Sequence, residues 1–308
     1  MTGTGRASSA GREDARSSRR RYESPQAIAT LLRGERYIPD EGLATALYLT
    51  LEISVPLLLE GEPGVGKTEV AKALAAATGR HLLRLQCYEG IDSAAALYEW
   101  DHARQLMHLR AVADSGRQAE DELYSARYLL ERPLLSALRA GDDAVLLVDE
   151  LDRSDDAFEA FLLELLSDFQ ITIPELGTVA ALSPPVVVLT SNRTRELHDA
   201  LLRRCLYHWI EYPTVAREVE ILEARAPGLP ESLLREVSAV VGHLRTLDLY
   251  KSPGISETIT WARALAALGL TRLDAGPAAA TLGAVLKDQE DIEKVSDLLP
   301  ALLRKRGD

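Results

Sequence analysis

The residues Gly61-Glu62-Pro63-Gly64-Val65-Gly66-Lys67-Thr68 fit the pattern G-x-x-x-x-G-K-[ST], a spacing suited to holding phosphate. Gly61, Gly64 and Gly66 allow backbone torsions that a Cβ closes, so successive N–H groups can turn inward around phosphate oxygens. A helix starting near Lys67 adds its positive end to that cup. Lys67 is a point charge on a long stem, and the Thr68 hydroxyl is a hard oxygen donor of the kind Mg2+ accepts. The segment predicts binding of a nucleoside triphosphate with Mg2+. A Gly-rich turn beside a surface lysine is the bland alternative. The apolar run Val55 to Leu59 before the segment and the helical pattern Glu69 to Thr78 after it argue against that alternative.

Three further groups have chemistry available to them. The apolar run Val145-Leu146-Leu147-Val148 ends in Asp149 and Glu150. Asp149 suits the Mg2+ sphere, and Glu150 suits orienting and polarising an attacking water. These acids would equally suit the start of the next helix. A second run, Val186 to Ser191, ends in Asn192, whose amide can bond a γ-phosphate or the water, or cap a turn. Arg203 and Arg204 follow, either as cations for phosphoryl transfer supplied across a subunit boundary or as ordinary surface groups.

These side chains need a frame, and the periodicity describes one. Short apolar runs at Val55–Leu59, Leu82–Cys87, Ala144–Val148, Val186–Thr190 and Cys205–Tyr212 alternate with helical patterns, as in a parallel sheet covered on both faces. Ligands of such sheets sit at the carboxyl ends of strands, where the glycine loop and the acids fall. After Pro213 the β-like runs stop. Val215, Val219 and Leu222, then Val237, Val241 and Leu244, then Ile259, Ala262 and Leu265 recur at helical spacing, which predicts a smaller all-helical domain. The expected divisions are a disordered tail over 1–24, an αβα nucleotide-binding core over 25–212 and a helical lid over 213–308. The tail is rich in Gly, Ser and Arg and nearly free of large apolar residues, so burial cannot offset its ordering entropy.

Composition narrows the classes of function. The 308 residues are 46% hydrophobic and 27% charged, an ordinary soluble balance, and the net charge of −12 argues against a broad nucleic-acid-binding face. No apolar stretch reaches membrane-spanning length, and Cys87 and Cys205 read as packing residues of a reducing compartment, so a cytoplasmic location is expected. The six histidines show no zinc spacing, which leaves Mg2+ as the expected metal. No guanine-reading pattern follows the fourth strand, so ATP is the expected nucleotide.

In this order the glycine loop, acid pair, Asn192 and arginines resemble the AAA+ ATPases, and more closely their MoxR family. The resemblance implies a P-loop NTPase αβα sandwich with a five-stranded parallel sheet, followed by a small all-helical lid. Gly61 to Thr68 match the Walker A segment, and Asp149 and Glu150 match the Walker B pair. Asn192 corresponds to the sensor 1 residue and Arg204 to the arginine finger, with Arg203 as a second. Gln170 to Val179 resembles the β-hairpin of the helix-2-insert members, and its alternation around Pro174-Glu175-Leu176-Gly177 suits a hairpin on physical grounds too.

Leu85-Gln86-Cys87-Tyr88-Glu89-Gly90, Ala96-Leu97-Tyr98-Glu99-Trp100 and Arg203-Arg204-Cys205-Leu206-Tyr207 are similar to the CoxD-type branch. That branch is associated with maturation of molybdenum hydroxylases of the carbon monoxide dehydrogenase type, beside a partner with a von Willebrand factor A domain. The resemblance therefore implies a homo-oligomeric ring, a hexamer, that hydrolyses ATP to remodel a client protein or assist assembly of its metal centre. Two other classes remain open: a nucleic-acid-dependent translocase, and a nucleotide-gated scaffold with little turnover. Tyr88, Tyr98 and Trp100 read as client-gripping aromatics or, more often at such spacing, as packing. The chain departs from the family at the sensor 2 arginine, where Thr258 stands in the expected place. Arg263, farther along the same helix, reads either as a contact to the nucleotide or as a solvent-facing residue.

Overall fold

A computed structural model describes residues 22–111, 123–174 and 176–304. Of the expected disordered tail, residues 1–21 lie outside the described residues. The first described helix, Pro25–Gly34, begins as the sequence dictates: Ser24 accepts the Ala27 N–H on its hydroxyl at 3.2 Å, and Pro25 takes the first helical position, where its missing N–H costs nothing.

The strands are β1 Leu57–Gly61, β2 His81–Gln86, β3 Tyr98–Trp100, β4 Leu129–Glu131, β5 Ala144–Asp149, β6 Gln170–Ile173, β7 Gly177–Ala180, β8 Val186–Ser191 and β9 Leu206–Ile210. Five of them form one parallel sheet in the order β2-β5-β8-β1-β9. Leu57 stands beside Val188, and Val145 stands between Leu82 and Val186. β1, β5 and β8 are buried along their whole length, which is why their sequences are continuous apolar runs rather than alternating ones. The edge strands β2 and β9 are partly exposed and carry polar residues at intervals. β9 is shorter than the expected Cys205–Tyr212, because Cys205 donates its N–H to Leu202 in the preceding turn.

The hairpin over 170–179 forms as β6 and β7, with Thr172 opposite Thr178 and Ile173 opposite Gly177; Glu175 of its turn lies outside the described residues. A second ribbon, β3 with β4, has strands too short to leave a periodic signal. It places Trp100 edge-on to Tyr98 and Tyr124 and packs the Tyr98–Trp100 pair on Leu129, Leu135 and Ile173, so these two aromatics serve a satellite core. Tyr88 is exposed.

Over the described residues the chain divides into two compact units. One comprises Met1–Leu31, Glu41–Glu60 and Leu74–His208. Its core joins Leu58, Leu146, Val148 and Leu189 of the sheet to Phe158, Leu162 and Leu165 of the helix Asp156–Asp168. The other comprises Leu32–Asp40, Gly61–Ala73 and Trp209–Asp308. It packs the helices Val215–Arg225, Glu231–Leu244, Ile255–Ala267 and Gln289–Arg304 around Leu222, Val237, Val241, Trp261 and Leu265. Inside that helical core Arg245 forms a bidentate pair with Glu218, with Nη1 to Oε2 at 2.8 Å and Nη2 to Oε1 at 2.7 Å. A buried charge of this kind is tolerated only when paired and hydrogen-bonded. Arg245 is further held by the Pro253 carbonyl and the face of Tyr212.

Candidate active site

The glycine loop leaves β1 at Gly61 and enters the helix Lys67–Thr78. Gly61, Gly64 and Gly66 all have positive φ, at 154°, 80° and 95°. Close approach as well as torsion demands glycine at the first two. A Cβ on Gly61 would lie 2.4 Å from the Ile210 carbonyl oxygen, and one on Gly64 would lie 2.8 Å from the Gly254 Cα. Ile255 donates its N–H to the Gly64 carbonyl at 2.9 Å, so the start of the helix Ile255–Ala267 sits directly on the loop. Glu62, Pro63 and Gly64 are exposed, whereas Val65 is buried and Thr68 half-buried. Lys67 is only 7% exposed, and its Nζ donates to the carbonyls of Gly61 at 2.6 Å and Glu62 at 2.9 Å. The ammonium is thus held over the loop, the place from which it can reach phosphate oxygens.

Beside Gly64, Val65 and Gly66 a cavity opens with apolar walls of Ile38, Ile210, Ile221, Ile255 and Ile259, together with Tyr37. Burial pushes the Tyr37 hydroxyl well above the ordinary phenol range, so it stays neutral. Three arginines border the same cavity, Arg36 and, eight residues apart on the helix Val215–Arg225, Arg217 and Arg225. Arg217 bonds Asp40 at 3.2 Å and the Ile38 carbonyl at 3.0 Å. Arg225 bonds Glu69, the residue after Thr68, at 3.1 Å. Burial raises the Glu69 carboxyl, but bonds from Lys72 and Arg225 outweigh it and hold the group below the usual range. An apolar cavity with a few polar groups at its rim is the usual form of a small-molecule site.

The sequence reading missed Arg217 and Arg225, whose only local signal is their place on one helix. Arg263, held open as a nucleotide contact, is exposed and donates to the Arg225 carbonyl at 2.7 Å. Thr258 is fully buried, giving its hydroxyl to the Gly254 carbonyl at 3.0 Å and receiving Arg245 at 3.3 Å.

The acids lie at the end of β5, next to β8, which ends beside Asn192. Asp149 is 2% exposed. The Thr190 hydroxyl donates to its Oδ1 at 2.6 Å, while Arg84 donates to its Oδ2 from Nε at 3.0 Å and Nη2 at 2.6 Å. The same Thr190 oxygen accepts the Glu150 N–H at 2.9 Å, so one β8 hydroxyl fixes both acids. Glu150 has φ 55°, an uncommon backbone state for a non-glycine residue and one that clusters at functional sites. Its Oε2 accepts from Gln86 at 2.9 Å and Arg153 at 3.0 Å. Neither acid caps the following helix; Asp155 does, accepting the Phe158 N–H at 2.9 Å. Asp149 offers a hard, buried carboxylate of the kind that binds Mg2+ through one carboxylate with waters and phosphate, and Arg84 occupies one of its oxygens. Among the described residues no cluster of three or more His, Cys, Asp or Glu forms an all-protein metal cage.

Asn192 is half-buried, and the loop after it is pinned. Asp152 accepts both the N–H and the hydroxyl of Thr194, at 2.9 and 2.7 Å. Burial raises the Asp152 carboxyl, yet these bonds and the Asn192 backbone bring it below its ordinary value. Buried Glu159 accepts the His198 N–H at 2.8 Å and pairs with Arg195. Arg203 and Arg204 are exposed at the foot of β9, Arg204 touching the Ala200 carbonyl at 3.3 Å. Cys87, buried beside Asp149, is pushed up to about 12, first by burial and then by that carboxylate; burial does the same to Cys205. Both thiols are therefore inert packing groups.

Residues 56–205 match a family profile described as an AAA domain of the dynein-related subfamily. Protein NorQ of Paracoccus denitrificans (strain Pd 1222) is 24% identical over 285 residues, covering 86% of this chain and 93% of that protein. Among solved structures, the RuvB Holliday junction branch migration motor of Thermotoga maritima has a TM-score of 0.46 at 18% identity, covering 93% of this chain and 85% of that one. A point variant of the same Thermotoga maritima protein gives 0.47 at 18%, covering 87% and 80%. No helix among the described residues is long and apolar enough to cross a membrane.

Proposed function

Because the chain is an AAA+ ATPase of the MoxR type, we propose that it hydrolyses ATP in a homo-oligomeric ring, a hexamer, and uses the cycle to remodel a client protein or assist assembly of its metal centre. The observation that supports this most is the set of bonds at the end of β5: a buried Asp149 gripped on both oxygens, with Glu150 beside it held by the same Thr190 hydroxyl. Left-handed backbone at a non-glycine residue, as at Glu150, clusters at functional sites.

Gly61, Glu62, Pro63, Gly64, Val65 and Gly66 cradle the phosphate chain, Lys67 meets the β/γ oxygens, and Thr68 with Asp149 serves Mg2+. Mg2+ supplies charge neutralisation on the transferring phosphoryl group. Glu150 orients and polarises the water. As that oxygen bonds to the γ-phosphorus, the bond to the β–γ bridging oxygen breaks and ADP and phosphate result. Asn192 holds the γ-phosphate or the water. Arg204, assisted by Arg203, comes from the adjacent copy and stabilises the charge that develops, an effect of about 10³–10⁵ in rate.

In this reading the core spans 25–212 and the lid 213–308, in a cytoplasmic protein. The branch resembling CoxD gives the finer proposal: maturation of a molybdenum hydroxylase of carbon monoxide dehydrogenase type, beside a partner with a von Willebrand factor A domain. Turnover by Glu150→Gln and Arg204→Ala variants tests the chemistry. Both should fall by at least about tenfold. Unchanged rates in both would remove the assigned residues, and stimulation by DNA would favour a translocase.

A further inference from the structure

Glu60, the last residue before the glycine loop, has no role in the scheme above. It is 7% exposed at the end of a fully buried strand, a place where an ionised carboxylate is unfavourable unless its oxygens are bonded. Both are. The Ser191 hydroxyl donates to Oε1 at 3.1 Å, the Tyr207 hydroxyl donates to Oε2 at 3.1 Å, and the Arg193 guanidinium lies 3.5 Å from Oε2. Ser191 in turn receives the Arg193 N–H on its hydroxyl oxygen at 3.0 Å. One carboxylate therefore grips the residues on both sides of Asn192. Through Tyr207 it also reaches the strand that follows Arg203 and Arg204.

Arg193 has φ 56°, left-handed backbone that a residue with a Cβ keeps only where its surroundings hold it there. The restraints on this turn include the Ser191 oxygen and the Glu60 pairing at its start, and Asp152 on the Asn192 backbone and on Thr194 at its end. Tilting Ser191 or releasing Arg193 would swing the Asn192 amide, because the three residues share one tight turn. An amide that must meet a γ-phosphate or a water loses much of its effect with a displacement of about 1 Å.

We propose that Glu60 is a positioning residue that sets the Asn192 amide by clamping the Ser191–Asn192–Arg193 turn, and that Tyr207 links this clamp to the strand carrying the arginine pair. The inference rests on the role given to Asn192 above. Glu60 touches none of the reacting atoms in this scheme and acts only through its neighbours.

The test is a double-mutant cycle on full-length protein, reading kcat, KM and the Kd of a non-hydrolysable ATP analogue for Glu60→Ala, Asn192→Ala and the double variant. Glu60→Ala should lower kcat by about ten- to a hundredfold, the usual cost of losing a residue that orients a functional group, while leaving the analogue Kd within about threefold. In an Asn192→Ala background it should lower kcat no further. Glu60→Gln, which keeps one acceptor for Ser191 but sets an amide NH2 beside Tyr207 and Arg193, should recover part of the rate. If the two losses multiply instead, Glu60 acts independently of Asn192 and the proposal fails while the assignment of Asn192 stands. If Asn192→Ala turns over like the wild type, the assignment of Asn192 fails and the proposal falls with it. Should Glu60→Ala not fold, Tyr207→Phe completes the same cycle: a kcat loss that disappears in the Asn192→Ala background supports the clamp, and one that persists in full overturns it.

Discussion

Arg84 on β2 holds one oxygen of Asp149 on β5 from two nitrogens, at 3.0 and 2.6 Å, and so brings a cation to the carboxylate assigned to Mg2+. With Asp149 2% exposed, a positive partner is needed whether or not nucleotide is present, and a guanidinium and a hydrated Mg2+ compete for the same charge. Arg84 is itself 46% exposed, so the pair is screened and its loss costs on the order of 1 kcal/mol rather than the figure for a fully buried pair. Arg84→Ala should melt at lower temperature without nucleotide and bind a fluorescent ATP analogue at lower Mg2+ concentration than the wild type. An unchanged Mg2+ midpoint would show that the two cations do not compete.

Gly64 and Gly254 meet backbone to backbone, and a Cβ on either would fall within 2.8 Å of the other's Cα. Gly64→Ala also forces an alanine into φ 80°. Urea melts should show a loss of about 1–3 kcal/mol, with nucleotide affinity falling too, because the loop must shift to make room. A variant as stable as the wild type would mean that this contact yields easily.

Asp152 supplies an acid-sensitive share of stability. Its folded carboxyl lies below the unfolded value of about 3.9, so the folded protein binds fewer protons there. The stabilisation is complete above that pH and disappears as pH falls through the lower folded value. Asp152→Asn should therefore cost about 1–2 kcal/mol at neutral pH, and the gap from wild type should narrow as pH drops from about 5 towards 2. A gap constant over that range would place the effect elsewhere.

Arg225 and Arg263 make opposite predictions for nucleotide binding. Arg225 borders the apolar cavity and pairs with Glu69, whereas Arg263 is exposed and holds a carbonyl. Arg225→Ala should weaken ATP-analogue binding by about fivefold, the equivalent of an exposed ion pair of about 1 kcal/mol, and Arg263→Ala should leave it within about twofold. Calorimetric titration of both variants distinguishes them.

Much of the core was legible because its signals are local. Val145 to Asp149 reads as a strand ending in acids, and Val186 to Ser191 as its neighbour, because a strand buried on both faces must be apolar throughout. The hairpin over 170–179 was legible from alternation around a turn. The ribbon of Tyr98–Trp100 with Leu129–Glu131 was not: three residues carry no period, and 28 residues separate its two strands. Thr258 could be placed by counting along the chain, but that it points into the helical core and receives Arg245 depends on a helix packed from elsewhere.

The amino-acid order alone determined which groups can do chemistry here, because a phosphate cup, a strand-end carboxylate pair and a helix start each need particular residue types at short, fixed spacing. Which donors hold those groups was decided only by the tertiary structure. Arg84 meets Asp149 across 65 positions, Ser191 meets Glu60 across 131, and Arg225 meets Glu69 across 156. Any of the chain's many arginines or serines could have filled such a role. Strand order and helix packing choose among them, and no local pattern records that choice.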